Sequence, residues 1–497
     1  MLFEFFLAVL LILLVSQLPK LLAIFRSVYL CWNIPGPECL PLIGCLHVMP
    51  FDLKELPNFM HKCANDAVFK GAHLMKFWVG PRLVCLPLDH EALKPILNNT
   101  TEISKGRDYK YFEQWLGPGL LLGDGERWHR SRKFLTPAFH FSKIEEYLQT
   151  MDMHAKVLVE LLNEKANGST VDVYNYIKHC ALDIIADTTM GVQLNAQRCP
   201  EQPYVCAVEK FNYAMCHRSL HPELSSDFIW RWTSYRKEAD AAVEVLHSFS
   251  KNVIKERMEI FEDDQKNADP SVKKRPNFLD LMLQLQDSEQ MSKEQIHEEV
   301  NTFMFAGHDT TAHALSWFFW AMATNSEIQE KLYEEIIEHF GHSDTEFGTN
   351  RVKELKYLDQ CFKESLRLFT PVPAIARNIK NEMKVGDQII PAGSSLTIPL
   401  ILIHRNPRTF ENPMRFDPSR FEEEKTIPPY AFSPFSAGLR NCIGQKFAIM
   451  ESKIIICQVL YNFKLESDLK LEDNKVIFEV VLRPSLGVPV RLVKREH

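Results

Sequence analysis

The stretch Phe435-Ser436-Ala437-Gly438-Leu439-Arg440-Asn441-Cys442-Ile443-Gly444 sets one cysteine between two glycines. An arginine lies two residues before the cysteine, and an apolar run, Phe447-Ala448-Ile449-Met450, follows. That order predicts a turn feeding a helix, with the thiol at its start. The helix dipole and free backbone N–H groups favour a thiolate there, and a flat metal cofactor can lie against it. A second constellation, Ala306-Gly307-His308-Asp309-Thr310-Thr311, places polar groups inside an apolar stretch, where they cost energy unless they are used. In Glu364-x-x-Arg367 a carboxylate and a guanidinium share one helix face; Arg420 follows in Phe416-Asp417-Pro418-Ser419-Arg420-Phe421. In Trp128-x-x-x-Arg132 two hydrogen-bond donors face the same way. Gly117-x-Gly119-x-x-x-Gly123 misses the spacing of a dinucleotide loop and reads as a turn-rich connection.

These groups need elements to hold them. The long helix expected from Ser292 opens with the capping box Ser292-x-x-Gln295 and runs to Ala323, with Asn325-Ser326 starting another. Trp128 to Thr136 reads as a basic helix ended near Pro137. Ile144 to Glu164 and Asp240 to Phe261 carry helical periodicity, and Asp263 to Pro276 reads as a charged loop. Phe69 to Leu86 reads as short strands around Gly80-Pro81, and Val385 to Leu402 as further strand. Length alone would allow about three domains, yet no low-complexity linker or internal repeat divides the chain. The expected organisation is a membrane anchor over 1–28, a proline-rich hinge over 29–45 and one body over 46–497. Phe5 to Pro19 is uncharged and apolar; Lys20 interrupts and can snorkel. Glu4 before it and Lys20 and Arg26 after it favour a cytosolic body. A net charge of −7 argues against nucleic acid as a partner. Twelve cysteines without a C-x-x-C pair suggest a reduced compartment and mostly core thiols.

The Cys442 loop fits Phe-x-x-Gly-x-Arg-x-Cys-x-Gly at every fixed position, and the chain from Pro35 onward resembles the microsomal cytochromes P450. Thr136-Pro137-Ala138-Phe139-His140-Phe141, the Gly307-to-Thr311 run and the wording around Cys442 resemble family 4 and its insect clan. The resemblance implies a mainly α fold with a smaller β region, after one N-terminal transmembrane helix. It implies heme b, with Cys442 as the axial iron ligand and Phe435 shielding the sulfur. Gly438 and Gly444 would let backbone approach sulfur and ring. Arg440, Trp128, Arg132 and Arg377, just after Pro371-Val372-Pro373, would hold the heme propionates. Asp309 and Thr310 would deliver protons to dioxygen beside a groove at Gly307. Glu364, Arg367 and Arg420 would form a structural network behind the heme; Ser419 stands where the family often has an acid. Phe112, Trp115, Phe303, Met304, Ala306, Ala374, Ile375 and Val481 would line the substrate pocket. Many family-4 members carry a glutamate at the position of Ala306, esterified to heme in some. Alanine cannot form that bond, so the heme is expected to be non-covalent.

The activity so implied is insertion of one atom of O2 into a lipophilic molecule: a fatty acid, a terpenoid or steroid-like hormone, or a xenobiotic such as an insecticide. No flavin or nicotinamide motif occurs in the chain, so electrons would come from NADPH through a separate cytochrome P450 reductase, with cytochrome b5 as a further donor. Arg127, Arg130 and Lys133 would offer that reductase a basic face. The implied location is the endoplasmic reticulum membrane, with the catalytic domain in the cytosol. Two alternatives stay open at this point: a heme-binding sensor or carrier without turnover, and a reductase-free isomerase or dehydratase.

Overall fold

A computed structural model describes residues 2–199, 201–266, 276–343, 345–422 and 426–496. The molecule is mostly helical with a smaller sheet region. Its axis is the 31-residue helix Lys293–Ala323. The capping box forms in both directions: Ser292 Oγ accepts from the Gln295 N–H (3.3 Å), and Gln295 Oε1 accepts from the Ser292 N–H (2.8 Å). From Ala312 to Ala323 every residue is buried, His313 and Ser316 being the polar exceptions in an otherwise apolar run. Helices Tyr174–Ile185, Ser234–Lys266, Lys356–Leu368 and Gln445–Asn462 pack on it. Gly307 allows the close approach of helix Tyr174–Ile185: a Cβ there would meet Ile185 Cδ1 at 2.5 Å. This glycine therefore serves helix–helix packing.

The four-stranded sheet flanks the helices. Leu74–Val79 pairs antiparallel with Arg82–Pro87, which pairs parallel with Ser395–Ile398; that strand pairs antiparallel with Ile375–Asn378. The register sets Arg377 opposite Leu396. The expected strand reading of Val385 to Leu402 stops at Ile398, because Pro399 turns the chain into the short helix Leu400–His404. The expected loop from Asp263 begins later, since helix Ser234–Lys266 continues through it; 267–275 lie outside the described residues.

The N-terminal helix spans Leu2–Leu30, with Pro19 inside it. Among the described residues no helix is long and apolar enough to cross a membrane. The segment that follows, expected as a stiff hinge, is strapped along the edge strand Leu74–Val79. Lys76 Nζ donates to the Cys31 carbonyl (2.6 Å) and the Lys76 N–H to the Pro35 carbonyl (2.9 Å). The Cys45 N–H donates to the Trp78 carbonyl (2.7 Å), and Gly44 bridges Val79. Arg26 pairs with Glu382 at 2.6 Å. An edge strand's unpaired groups seek such cover. All twelve cysteines are free, and only half of them are buried, fewer core thiols than their scatter suggested.

Candidate functional site

Cys442 stands two residues before Gly444, the N-cap of helix Gln445–Asn462. The turn before it curls through two left-handed residues, Ser436 (φ 59°) and Gly438 (φ 71°), and closes with the Cys442 N–H donating to the Phe435 carbonyl (3.0 Å). A Cβ on Gly438 would collide with the Leu97 carbonyl, so glycine is required there by φ and by that contact. Of the two glycines expected to admit backbone to the sulfur and the ring, Gly444 stands beside the sulfur. Its missing Cβ would lie 4.0 Å from Cys442 Sγ. Phe435 is half-buried against the main core. Burial raises the Cys442 thiol above its ordinary range, opposed by the Gly444 N–H and the Arg132 cation. The side chain nevertheless retains accessible surface. Both facts hold for a thiol on the wall of an internal cavity.

Four cations converge beside it. Arg132, on the basic helix Gly125–Leu135, donates to Asn441 twice, Nη1 to the carbonyl (2.9 Å) and Nη2 to Oδ1 (2.8 Å). It thus braces the residue before Cys442. Arg440 Nη2 donates to the Gly123 carbonyl (2.6 Å), and its guanidinium lies 4.1 Å from the Trp128 ring. Arg440 Nε and Nη1 and Arg377 Nη1 are buried without a hydrogen-bond partner. Asp124, 3.6 Å from Arg440, is nearly half exposed. Lys105 bridges Arg377 across the backbone, with Nζ 4.8 Å from the Tyr109 ring. Burial, then the neighbouring Arg377, lowers Arg440 to about 10. Burial lowers Arg377, and burial with Arg377 and Arg440 holds Lys105 well below its ordinary value. Orphaned buried cations are costly, and a doubly anionic group meeting them removes that cost. The residues therefore fit heme: the cations would meet its two carboxylates, and Cys442 would supply a thiolate to its iron. Among the described residues no cluster of three or more His, Cys, Asp or Glu side chains could hold a metal by itself. Lys105 and Tyr109 belong to no motif, so only the bridge reveals them.

On the central helix, Thr310 Oγ1 donates to the Ala306 carbonyl (2.8 Å). Asp309 is buried and accepts from Asn212 Nδ2 (3.3 Å), with His313 Nδ1 3.5 Å from its Oδ1. Desolvation opposes its charge, yet His313, Lys178 and His308 hold its carboxyl below the usual range. The structure does not join Asp309 to Thr310; neighbouring residues on a helix point about 100° apart. Ala306 and Ile375 are half-buried and Ala374 is exposed. Trp115, Met304 and Val481 are buried. Trp115 packs on Phe211 and Phe305, which the sequence did not single out, and Phe112 packs on Phe211. Phe303 stacks on Phe139 (5.3 Å) and contacts Phe278 (4.2 Å), within the core.

Behind the thiol loop, Glu364 and Arg367 are fully buried. Arg367 Nε and Nη2 donate to the two Glu364 oxygens at 2.7 and 2.8 Å, and Arg420 Nε lies 3.4 Å from Oε1. The Asp417 N–H also donates to Oε1 (2.8 Å), so the network pins the segment containing Ser419, whose hydroxyl donates to Asp417 (2.6 Å). On the basic helix Arg127 pairs with Glu298, while Arg130 and Lys133 are exposed.

A family model described as Cytochrome P450 matches residues 34–489. Human "Cytochrome P450 4V2" is 38% identical over 465 residues, covering 92% of this chain and 88% of that protein. "Cytochrome P450 4c3" of Drosophila melanogaster is 36% identical over 483 residues, 93% of this chain and 90% of that protein. "Probable cytochrome P450 4s3" of the same fly is 35% identical over 491 residues, 97% of this chain and 95% of that protein.

Proposed function

The chain belongs to the cytochrome P450 family, and from that premise we propose which residues carry its chemistry and what it oxidises. As a P450 monooxygenase it uses heme iron with thiolate ligation. Cys442 would supply the thiolate to the heme iron in this reading. Arg440, Arg377, Lys105 and the Trp128 indole hold the propionate edge, and Arg132 fixes the thiol loop through Asn441. The thiolate-ligated heme, when bound, activates dioxygen for insertion into a C–H bond. The orphaned guanidinium nitrogens of Arg440 and Arg377 beside that thiol carry the assignment of heme orientation. The absence of a carboxylate at Ala306 supports non-covalent attachment; acid extraction that left heme on the polypeptide would overturn this.

The substrate is lipophilic, because apolar and aromatic side chains dominate the candidate lining and exclude water from the oxidant. Ala306, Ala374 and Ile375 line the cavity in this reading. Thr310 holds a proton on its hydroxyl and Asp309 replaces it, after a turn of the carboxylate away from Asn212. Electrons arrive from an NADPH-dependent reductase docked on Arg130 and Lys133, with cytochrome b5 as a second donor. Helix Leu2–Leu30 anchors the chain to the endoplasmic reticulum with the body in the cytosol. The test is the purified full chain with reductase, NADPH and a panel of fatty acids, terpenoids, steroids and insecticides. Spin-state shifts identify binders, and incorporation of labelled oxygen from O2 identifies substrates. No labelled product from any binder, with thiolate-ligated heme intact, would sink the assignment of substrate class.

A further inference from the structure

A hydrogen-bonded pair links the central helix to helix Tyr174–Ile185 beside Asp309. Tyr174, the first residue of helix Tyr174–Ile185, sets its hydroxyl 2.8 Å from His313 Nε2. His313 Nδ1 lies 2.6 Å from the Asp309 carbonyl oxygen and 3.5 Å from Asp309 Oδ1. All three side chains are buried.

The proton positions follow from the partners. His313 Nδ1 faces only oxygens of Asp309, a carbonyl and a carboxylate held ionised, and both accept. Nδ1 must therefore carry the ring proton. Burial keeps the ring neutral, so Nε2 is a lone pair and the Tyr174 O–H donates to it. Reversing either proton would leave a buried acceptor facing an acceptor. The surrounding ionisable groups are Lys178, 5.2 Å from the Tyr174 ring and paired with Glu209; His308 on the same helix, which burial lowers to about 4; and Glu479 with Arg483, at 3.1 Å from one another. Asn212 reaches Asp309 from helix Pro203–Leu220.

We propose that Tyr174 and His313 are positioning residues for Asp309: the tyrosine hydroxyl holds the His313 ring by donating to Nε2, and the Nδ1–H, bonded to the Asp309 carbonyl oxygen, presents its positive edge to the carboxylate 3.5 Å away and favours the rotamer facing Asn212. The proposal rests on the reading of Asp309 as the residue that resupplies protons. Neither Tyr174 nor His313 transfers a proton in this role. They set how Asp309 is stored between turnovers, and thereby how reduced dioxygen divides between water or product and released peroxide. The signal is local in part, since Asp309 and His313 stand at i, i+4, one turn apart.

Holoprotein with NADPH–cytochrome P450 reductase is assayed for peroxide released and O2 consumed per NADPH, without substrate and with dodecanoic acid as probe. Heme content and the reduced carbon monoxide spectrum select variants that fold. D309N should raise the peroxide share. H313A should raise it by about two- to tenfold, the range of one lost hydrogen bond; Y174F should raise it less, and H313Q, which restores a donor, should recover part of the loss. Histidine-15N spectra of the diamagnetic, reduced carbon monoxide form should show His313 as Nδ1–H in the wild type and in Y174F, with the Nε2 resonance moved in Y174F by loss of the tyrosine donor. A wild-type Nε2–H or charged ring overturns the proposal. So do wild-type peroxide shares in both H313A and Y174F while D309N raises its own. An unchanged D309N overturns the reading of Asp309 itself, and the positioning role with it.

Discussion

Near the thiol loop, Arg377 and Arg440 are buried with guanidinium nitrogens that no protein atom accepts; on the central helix, Asp309 is met by Asn212 at one oxygen and His313 at the other. The first set is assembled at an energetic cost that a bound dianion removes. The second is stable without any ligand, with its charge compensated by the protein. The contrast separates two ways of using buried charge. One makes a site bind, and the other stores a group in a definite position until it is called on. It also explains why Cys442 lies among cations yet is pushed upward, because desolvation outweighs Arg132 and the Gly444 N–H until a metal takes the thiolate.

The most severe break of this contrast is C442A, which removes the sole thiolate; all thiolate-type heme absorption and all oxygen insertion should vanish. Residual turnover with labelled oxygen would show that the metal ligand lies elsewhere. Next, E364A strands Arg367 and Arg420 against no carboxylate, and should destabilise the protein by about 3–5 kcal/mol. Urea unfolding reads this, and the double variant E364A/R367M should recover part of the loss. A stable E364A would mean that the thiol side tolerates unpaired cations without limit.

A third test sits on the central helix itself. Glu299 is buried and accepts from the Leu120 N–H (2.9 Å) without a cation in contact. Burial raises it from 4.5 to about 7, against the Leu120 N–H and the Ser131 hydroxyl. Between those values the folded chain keeps a proton that the unfolded chain has lost. Stability therefore falls as pH rises from about 4.5 to 7 and levels above, by about 3 kcal/mol from this group. E299Q should flatten that segment of the pH–stability curve; equal slopes in the two proteins would remove Glu299 as its source. Asp309, whose carboxyl is held below the usual range, should make no such contribution. The smallest effect concerns binding. R377M and R440M should weaken heme affinity by about ten- to a hundredfold, as one or two charge-assisted hydrogen bonds are lost. Stability of the heme-free protein should stay level or rise. Heme transfer to apomyoglobin and urea unfolding measure the two, and a parallel loss in both would give these arginines an ordinary structural role.

The sequence exposed the parts whose logic is local. Ser292 and Gln295 cap the central helix as their spacing requires, and Glu364 and Arg367 meet as i, i+3 partners do. The Cys442 turn lies just before its helix as its glycines suggested. Contacts between distant segments stayed hidden. Lys105 meets Arg377 only through a backbone bridge, and Tyr174 reaches His313 only because two helices pack. Glycine was legible as a signal but not in its cause: Gly307 serves Ile185 and Gly438 serves the Leu97 carbonyl. Alternation through Leu402 suggested strand because Ser395–Ile398 is one, and Pro399 then redirects the chain. Arg132 shows the same limit, since its spacing from Trp128 reveals a shared face but not that Asn441 occupies its donors.

The strap of residues 31–45 along strand Leu74–Val79 decides where this chain can be shortened. A form beginning after Cys45 would bare the strand's outer edge, with the Lys76 N–H and the Trp78 carbonyl stripped of their partners, and copies would join edge to edge into aggregates. A form beginning at Ser27 discards most of the apolar helix and keeps every one of those bonds. The safe cut is therefore dictated by the sheet, several residues before the point at which the prolines begin.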